Sequence, residues 1–351
     1  MKINFLTTKL SGLTGGVIYD EQFYKKLSKY FPDQVKLIED QNFGNEYEHI
    51  TPNFRRYLKI YKKHIDEILD CDYLIINSRL YTRFIGFPWT NHHKCKIFLI
   101  HHHFNFMTHC GLRKIVHKYF ETNFLRHAYC LITPNPYTKE MIGQVGLSNR
   151  VVLLEAFICK EVHKIEKTRH DVISFIGTVE PRKGLHLGIL AFKKFSESHP
   201  TYLFKIAGNL NSEKYTNSLK KMIRGLDLEN KVIFLGRIDE EQKKNLYEES
   251  KCFLFPSQNE GYGLVLIEAM SYGLPVVAFN NTAMPYTVNN TNGRIISNQD
   301  IDAMGDALSE IVDHYELYCK LQQGAYNTVK NLPDIENIEA QYTKFFQDWI
   351  V

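Results

Sequence analysis

Short apolar runs alternate with longer amphipathic runs from one end of the chain to the other. In the first half six such runs have strand character: Lys2 to Leu6, Gln34 to Ile38, Tyr73 to Ile76, Lys96 to Ile100, Tyr129 to Thr133 and Val151 to Leu154. Helical spacing lies between them, as in Val17 to Tyr30, where Phe23, Leu27 and Tyr30 recur. The alternation predicts an α/β fold built from strand–helix–strand units around parallel sheets.

The same alternation restarts after a polar stretch, Lys160 to Asp171, which has no apolar period and which we interpret as a linker. Five further strands are predicted beyond it, at Val172 to Ile176, Tyr202 to Ala207, Lys231 to Leu235, Cys252 to Phe255 and Val276 to Phe279. The chain therefore predicts two doubly wound parallel sheets. Ligands of such sheets bind at the carboxyl ends of the strands, so we expect a central cleft between the two domains.

The final segment, Pro333 to Val351, predicts a helix with proline in its first turn. One face carries the apolar residues Ile335, Ile338, Tyr342, Phe345 and Trp349. Because such a face needs an apolar partner, we expect the helix to pack back on the first domain. The predicted organisation is an N-terminal domain over 1–163, a C-terminal domain over 164–332 and this helix over 333–351.

Composition narrows the class of protein. The 351 residues are 44% apolar and 23% charged, which suffices for two buried domains. No run approaches the roughly 18 apolar residues of a membrane span, and Lys9 interrupts the N-terminus too early for a secretion signal. The seven cysteines form no Cys-x-x-Cys pair, which argues against a disulfide framework and against zinc. We therefore expect a cytoplasmic protein.

Charge is distributed unevenly, although the net charge is only +4. Up to residue 165 there are 23 Lys and Arg against 15 Asp and Glu, whereas the remainder is acidic. Two basic helical runs contribute, one from Arg55 to Lys63 and one from Leu112 to His127. Such faces are commonly just solvated; the alternative is peripheral attachment to anionic lipid headgroups.

The strongest candidate chemistry follows the predicted strand Cys252 to Phe255. A polar loop carries Glu260, Gly261 and Gly263 flank Tyr262, and a helix opens near Leu264 and Val265 and contains Glu268. Glycines allow close approach to the backbone, and the free N–H groups of a helix start attract anions such as a diphosphate. The apolar neighbours of Glu268 predict that it is buried with partners, where it could accept hydrogen bonds from ribose hydroxyls.

These residues resemble the donor-site motif of family 4 of the retaining nucleotide-sugar glycosyltransferases, in which seven residues separate two glutamates. A second match lies at Phe175 to Leu185, which is similar to that family's phosphate-binding loop. The resemblance is strongest from Val172 to Arg294. It implies the GT-B fold of two Rossmann-like domains, a nucleoside-diphosphate sugar as co-substrate, no cofactor, no metal, and retention of configuration at the transferred sugar.

The resemblance also assigns site residues in the second half. Arg182 and Lys183 would face the donor diphosphate, where fixed cations replace a metal as negative charge develops. Many family members carry their arginine where this chain has Thr178, so the assignment to Arg182 stays open. Arg237 and Ile238 resemble the segment whose backbone holds the nucleobase, and Gly208 is either a further donor contact or only a tight turn.

In the first half, Gly15 and Gly16 resemble the family's glycine pair that lets backbone reach the transferred sugar and phosphate. The surrounding glycine spacing does not fit a dinucleotide-binding loop, which disfavours a nicotinamide oxidoreductase. His101, His102 and His103 close the fourth strand, and the family usually has a histidine at this rim. Since consecutive strand residues point to opposite faces, the three cannot all bind one metal ion. We expect His102 or His103 to face the cleft and keep His101 and His103 as acceptor-side candidates.

The predicted function is transfer of a hexose from a UDP- or GDP-sugar to a saccharide or lipid-linked saccharide, as in cell-surface polysaccharide synthesis. By resemblance Glu260, Lys183, Arg182 and His102 are the catalytic candidates, nucleic acid is not a partner, and the enzyme would work in the cytoplasm or at the inner membrane face. Two alternatives remain open: the same chemistry on a soluble small-molecule acceptor, and a non-catalytic subunit that only binds nucleotide sugar.

Overall fold

The computed structural model describes the chain except residues 9, 11–14, 41–63, 86–93, 159, 165–168, 262 and 351 and the side chain of Asn149. The described residues form two units, Met1–Phe157 together with Pro333–Val351, and Ile158–Leu332. Within the described part, each unit is built around one six-stranded parallel sheet flanked by helices. The prediction of two doubly wound parallel sheets is confirmed. The basic run from Arg55 to Lys63 lies outside the described residues.

The first sheet is entirely parallel. Its strands are Ile3–Thr7 (β1), Val35–Glu39 (β2), Tyr73–Asn77 (β3), Lys96–Ile100 (β4), Cys130–Thr133 (β5) and Val151–Leu153 (β6). Among the helices between them are Gly15–Tyr30 (α1), Gly111–Arg126 (α2) and Pro136–Gln144 (α3). The strand order is β2-β1-β3-β4-β5-β6. The central strands are buried along almost their whole length, as expected when helices cover both faces of a parallel sheet.

The second unit repeats this plan. Its strands are Val172–Ile176 (β7), Leu203–Ala207 (β8), Val232–Gly236 (β9), Cys252–Phe255 (β10), Val276–Phe279 (β11) and Gly293–Ile296 (β12). Its helices are Leu185–Ser198 (α4), Glu213–Gly225 (α5), Glu240–Glu249 (α6), Leu264–Ser271 (α7), Ile301–Asp313 (α8) and Tyr315–Lys330 (α9). The strand order is β12-β11-β10-β7-β8-β9. The sequence pattern missed β12, which is short and follows an asparagine-rich turn.

Each sheet has one point where the direction of winding reverses. In the first sheet the reversal lies between β1 and β3, and in the second sheet it lies between β7 and β10. Connections from neighbouring strands run to opposite faces there, which opens a crevice outside their carboxyl ends. The topology therefore fixes where a ligand site belongs in each unit.

The C-terminal helix, Ile335–Trp349 (α10), packs in the first unit against α1. The ring of Phe23 lies 5.7 Å from that of Tyr342 and 5.9 Å from that of Phe346. Two details of its predicted face are wrong. Ile335 is 55% exposed because it lies at the helix start, and the buried face includes Phe346 instead. Pro333 precedes the capping residue Asp334 rather than lying in the first turn.

Part of the segment that we interpreted as a linker is packed into the second unit. The buried guanidinium of Arg169 donates to the backbone oxygens of Tyr247, Ser250 and Tyr272. The ring of His163 stacks on Tyr272 with centroids 4.3 Å apart. Polar residues can thus be structural when they satisfy backbone carbonyls, which a hydrophobic pattern does not detect. Among the described helices, none has the length and apolar character needed to cross a membrane.

Candidate functional site

The crevice between β7 and β10 brings together the two motifs that the sequence analysis singled out. Arg182 and Lys183 lie in a short 3₁₀ turn after β7, and Glu260 lies in the loop after β10. The Lys183 ammonium donates a hydrogen bond to Oε2 of Glu260. Nη1 of Arg182 lies 3.6 Å from the same oxygen. Residues that are 77 positions apart in sequence therefore form one cluster of two cations and a carboxylate.

Lys183 is the most enclosed member of this cluster, with 8% of its surface exposed. Its Nζ lies 5.0 Å from the centroid of the Phe255 ring, a cation–π contact at the end of β10. Burial lowers the pKa of Lys183, and the charge of Arg182 acts in the same direction, whereas Glu260 favours the charged form.

Arg182 is oriented by its own hydrogen bonds. Nη1 donates to the backbone oxygen of Asn259 at 2.7 Å, and Nη2 donates to Oε1 of Glu180 at 2.6 Å. Glu180 and Asn259, which the sequence analysis did not single out, therefore hold the guanidinium beside Glu260. The amide of Asn259 is 5% exposed, and its Nδ2 has no hydrogen-bond partner among the described residues.

Backbone conformation and a close backbone contact explain why glycine occupies position 184, directly after this turn. Gly184 has a φ of +65°, and a Cβ there would lie 2.0 Å from the carbonyl oxygen of Pro256. The N–H of Gln258 donates to the carbonyl oxygen of Arg182 at 2.9 Å. The turn after β7 and the loop after β10 are therefore in direct contact, which leaves no room for a side chain at position 184.

The start of α7 is not capped by a side chain. Its N-cap residue Gly263 has a φ of +77°, a conformation that favours glycine. Leu264 and Val265 are half-buried and Gly261 is buried, whereas Tyr262 lies outside the described residues. The N–H of Leu266 donates to the carbonyl oxygen of Gly263 at 2.8 Å, and no described side chain caps the N–H groups of Leu264 and Val265, which suit an anion.

Glu268 is placed differently from our expectation. Its side chain is 42% exposed rather than buried, so the argument from an isolated buried charge is wrong. The helical period puts Glu268 on the same open face of α7 as Leu264 and Val265. The hydroxyl of Tyr247 donates to Oε2 of Glu268 at 3.2 Å, and Nζ of Lys243 lies 3.4 Å from that oxygen. The carboxylate is therefore oriented, partnered and open to a ligand.

The remaining donor-side candidates follow β8 and β9. A Cβ on Gly208 would lie 1.9 Å from the carbonyl oxygen of Gly177, so close contact between chain segments alone accounts for glycine here. Arg237 is exposed, and Ile238 is partly buried against Val172 and Leu246. These geometries do not test a role in donor binding, which stays a prediction for all three residues.

In the first unit, the crevice between β1 and β3 contains a buried histidine–carboxylate pair. Nε2 of His102 lies 2.9 Å from Oδ1 of Asp20, whose side chain is 1% exposed. The other oxygen of Asp20 accepts from the hydroxyl of Thr7 at 3.1 Å and from the amide of Asn77. Asp20 therefore joins α1 to residues at the carboxyl ends of β1, β3 and β4.

The glycine pair lies beside this pair of residues. Gly15 and Gly16 begin α1, and a Cβ on Gly16 would lie 3.5 Å from Cδ2 of His102, so the backbone of Gly16 adjoins the imidazole ring. Because Nε2 of His102 faces a carboxylate, which only accepts hydrogen bonds, Nε2 is the nitrogen that donates to Asp20. The structure thus brings the predicted glycines and one predicted histidine together within one unit.

The three consecutive histidines have different surroundings. His101 is fully buried, its Nδ1 lies 2.7 Å from the Ser78 hydroxyl, and burial holds its pKa well below the usual range. His103 is half-buried. His101 and His102 therefore turn to separate partners, and a neutral, fully enclosed His101 is unsuited to contact an acceptor.

Asp20 is another residue that the sequence pattern did not single out. It lies three and seven positions before Phe23 and Leu27, which are both buried on α1. An aspartate at helical spacing within an apolar stripe must have buried partners, so this periodicity could have identified it. Thr7 and Asn77 carry no such signal, because their role depends on strand pairing across the sheet.

Comparison with known proteins supports a glycosyltransferase relationship. Residues 160–328 match the family model described as glycosyl transferases group 1. An uncharacterized glycosyltransferase of Haemophilus influenzae is 30% identical over 161 residues, 45% of this chain and 44% of that protein. The poly(ribitol-phosphate) alpha-N-acetylglucosaminyltransferase of Staphylococcus aureus is 25% identical over 341 residues, 94% of this chain and 66% of that protein. The chain spans less than two thirds of these relatives.

Solved structures share the fold. Sucrose-phosphate synthase from Thermosynechococcus elongatus has a TM-score of 0.79 at 16% identity and covers 100% of this chain and 99% of its own. HepE from Anabaena, solved with UDP and glucose, has a TM-score of 0.75 at 16% identity and covers 99% of both chains. The GT-B fold that the resemblance implied is confirmed, as is similarity to glycosyltransferases. Assignment to family 4 stays a prediction.

Proposed function

We propose that the protein is a retaining, metal-independent glycosyltransferase. It moves a hexose from a nucleoside-diphosphate sugar to a hydroxyl of a glycan or lipid-linked saccharide, in synthesis of cell-surface polysaccharide or lipopolysaccharide type. The observation that carries the proposal is the cluster of Arg182, Lys183 and Glu260 beside the uncapped start of α7. The cluster lies within the region that matches glycosyl transferases group 1.

Donor binding follows from the charges of this crevice. Arg182 and Lys183 attract the diphosphate, and the N–H groups at the start of α7 donate to its oxygens. The ammonium of Lys183 then pairs with phosphate in place of Glu260, which releases that carboxylate to accept hydrogen bonds from hydroxyls of the sugar. Glu268, oriented by Tyr247 and Lys243, accepts from the ribose hydroxyls.

Group transfer breaks the bond between the anomeric carbon and the diphosphate oxygen. The acceptor oxygen bonds to that carbon from the same face, and its proton passes to a phosphate oxygen of the leaving nucleoside diphosphate. Negative charge grows on the leaving group, and fixed cations in a water-poor crevice stabilise it. Arg182 and Lys183 supply that stabilisation, which is why no metal ion is required.

The co-substrate is a UDP- or GDP-sugar, with the nucleobase against the segment of Arg237 and Ile238. UDP is the first donor base to test because the fold neighbour HepE was solved with UDP. Asp20 acts as a positioning residue for His102, whose remaining ring nitrogen is the candidate contact to sugar hydroxyls. Nucleotide sugars are cytoplasmic metabolites, so we place the reaction in the cytoplasm, with acceptors presented at the inner membrane face.

The test is turnover of defined donors by the full chain in the presence of EDTA. UDP-glucose, UDP-N-acetylglucosamine, UDP-galactose and GDP-mannose are each incubated with the protein, and release of nucleoside diphosphate is measured. We expect one donor to be hydrolysed or transferred, and proton NMR of the product to show the anomeric configuration of the donor. Loss of turnover on adding EDTA, or an inverted product, would contradict the proposal.

The two alternatives are distinguished by adding a thermal-shift assay and two classes of acceptor to this experiment. A non-catalytic subunit would be stabilised by a nucleotide sugar in a thermal-shift assay but would release no diphosphate. An enzyme for soluble acceptors would transfer the sugar to small-molecule hydroxyls as readily as to a lipid-linked saccharide. Either outcome would replace the proposed acceptor class or the proposed activity.

A further inference from the structure

Two cysteines of the first unit have their sulfur atoms in contact. Sγ of Cys71 lies 3.3 Å from Sγ of Cys95, although the two residues are 24 positions apart in sequence. Cys71 lies just before β3, and Cys95 directly precedes β4. These strands pair in parallel, with Tyr73 opposite Lys96. The pairing of the strands therefore places the two thiols together at the amino ends of β3 and β4.

Backbone contacts hold this arrangement. The N–H of Lys96 donates to the carbonyl oxygen of Asp72 at 2.9 Å, which joins the residues that directly follow the two cysteines. The thiol of Cys71 lies 3.5 Å from the carbonyl oxygen of Ile68, and Cys71 is 9% exposed. Cys95 is partly exposed. The two thiols are thus held side by side, and solvent reaches the pair at Cys95.

We propose that Cys71 and Cys95 are a redox pair that closes to an intramolecular disulfide when a peroxide oxidises it. The sulfur atoms of a disulfide are about 2.05 Å apart, so closure from the observed contact requires a movement of roughly 1.2 Å. In reducing compartments disulfides are usually transient and redox-sensing. A single reversible pair is therefore compatible with a cytoplasmic enzyme that has no disulfide framework.

The hydrogen bond between the two thiols gives them different roles. With the Cys95 thiol as donor, this bond lowers the pKa of Cys71, although burial acts in the opposite direction. The same hydrogen bond and burial raise the pKa of Cys95. Because the thiolate is the nucleophile of cysteine chemistry, Cys71 attacks the oxidant and Cys95 resolves the product.

The oxidation consumes one hydrogen peroxide for each pair of thiols. The thiolate of Cys71 attacks a peroxide oxygen and the O–O bond breaks, which leaves Cys71 as a sulfenic acid. The departing hydroxide takes up the proton that Cys71 lost on ionisation. The sulfur of Cys95 then bonds to the sulfur of Cys71, the S–O bond breaks, and the proton of Cys95 leaves with that hydroxide as water. Sulfur is oxidised, and the peroxide is reduced to two waters.

Other roles and other cysteines fit this chemistry less well. Among the described residues, no group of three or more His, Cys, Asp and Glu side chains is arranged to hold a metal ion, so the pair lacks the ligands of a structural zinc site. Cys130 and Cys252 are buried, and burial raises the pKa of each to about 12, which makes them poor nucleophiles. Cys110 is exposed and provides a control.

The inference goes beyond the proposed function, since oxidation is measured without donor or acceptor and either proposal can fail alone. The full chain is treated with a moderate excess of hydrogen peroxide, free thiols are alkylated, and the protein is digested with trypsin without reduction. Arg79 and Lys94 lie between the two cysteines, so trypsin separates them unless a disulfide joins their peptides. We expect a cross-linked pair of peptides, lighter by two hydrogen atoms than their sum, which dithiothreitol separates.

Two serine variants give the matched comparison. Cys95→Ser should abolish the cross-link and leave Cys71 as a sulfenic acid that dimedone labels, because the serine hydroxyl still donates to the Cys71 sulfur. Cys110→Ser should form the cross-link as the unaltered chain does. Oxidation should raise the melting temperature of the unaltered chain and of Cys110→Ser by about 5 °C, since the disulfide closes a loop of roughly 25 residues in the unfolded chain. Cys95→Ser should show no such rise.

Several outcomes would overturn the inference. They are a peroxide-treated chain without the cross-linked peptides, a cross-link that forms only in urea, and disulfides between separate chains, which non-reducing electrophoresis shows as dimers. A melting temperature that does not rise on oxidation would contradict closure within the native fold. Circular dichroism verifies that Cys95→Ser, which alters a partly exposed position, retains the fold.

Discussion

The crevice of the second sheet and the crevice of the first sheet occupy equivalent topological positions but carry opposite chemistry. Between β7 and β10, two cations share one carboxylate beside an uncapped helix start. Between β1 and β3, a carboxylate is buried and fully engaged by a histidine, a hydroxyl and an amide. Shared topology decides where a site forms, and the side chains decide what it binds.

This comparison also changes the meaning of the charge asymmetry. The first half of the sequence is basic and the second is acidic, which suggested phosphate recognition by the first half. The fixed cations suited to a diphosphate, Arg182 and Lys183, lie in the acidic half. In the first unit, exposed cations such as Arg113, Lys114 and Lys118 lie on α2. Net charge of a segment is therefore a poor guide to the charge of its site.

The largest effect is expected from removing the enclosed cation of the second crevice. Lys183→Ala should lower donor turnover by about a hundredfold to a thousandfold, because a preorganised charge on the leaving diphosphate is lost. Lys205→Ala is the matched control, since Nζ of Lys205 is also paired with a glutamate, Glu249, at 2.8 Å in the same unit. Equal activity of the two variants, measured as release of nucleoside diphosphate, would remove Lys183 from the proposed mechanism.

The next largest effect is expected on stability, from the contact between the turn after β7 and the loop after β10. Gly184→Ala should reduce the free energy of unfolding by about 2 to 4 kcal/mol, since a left-handed φ and a clash with Pro256 act together. Gly236 has a similar φ of +68°, but a Cβ at that position would meet no described atom within 4 Å, so Gly236→Ala should cost about 1 to 2 kcal/mol. Denaturant unfolding compares the two, and equal losses would show that the loop contact is loose.

The free energy of unfolding should depend on pH through Glu121, a buried residue of the first unit. Burial raises the pKa of Glu121 to about 7, and its two backbone N–H donors only partly oppose this. Since the folded-state pKa lies above the ordinary value of 4.5, its contribution to stability is present below about pH 4.5 and is lost as the pH rises through 7. The free energy of unfolding of the unaltered chain should therefore decrease by about 2 to 3 kcal/mol across this pH interval, and Glu121→Gln should abolish that decrease. The free energy of unfolding of the unaltered chain and of Glu121→Gln is measured by urea unfolding at each pH. If both change with pH in the same way, the raised pKa of Glu121 is contradicted.

The smallest effect is expected in the first crevice. Asp20→Asn keeps the size of the side chain but places an amide N–H donor against the donors of His102, Thr7 and Asn77. The free energy of unfolding should therefore fall by about 1 to 2 kcal/mol. The sharper measurement is ¹⁵N NMR of labelled histidine, in which His102 should lose its preference for protonation at Nε2. Ser78→Ala is the control, since it removes a partner of His101 only. An unchanged His102 spectrum in Asp20→Asn would show that Asp20 does not set the tautomer.

The pattern of apolar and polar residues along the chain was sufficient to predict most strands of the two sheets. The strand Cys252 to Phe255 matches the structure because both faces are buried and the whole run is apolar, and Lys96 to Ile100 matches because its last three residues are apolar and buried. β12 was missed because Arg294 interrupts a four-residue strand. Arg169 was assigned to a linker because a pattern of hydrophobicity cannot show that a guanidinium satisfies buried carbonyls.

The candidate site was partly predictable from the sequence, because the order of the strands determines which loops lie side by side. The motifs around Lys183 and Glu260 follow strands that adjoin at the switch point, so their proximity follows from topology. The exposure of Glu268 depends on which face of α7 packs inward, and the role of Asp20 depends on side chains from three strands. Such features require three-dimensional contacts that sequence spacing alone does not specify.

The central claim is that the second crevice grips a diphosphate without a metal. It is tested most directly by thermal shift in EDTA with UDP and UMP, and with GDP and GMP, for the unaltered chain, Lys183→Ala and Lys205→Ala. We predict that one diphosphate stabilises the unaltered chain and Lys205→Ala by about 2.7 kcal/mol at a hundred times its Kd, while the monophosphate and Lys183→Ala show much smaller shifts. Equal shifts for mono- and diphosphates, or stabilisation only when a divalent metal is added, would contradict the account.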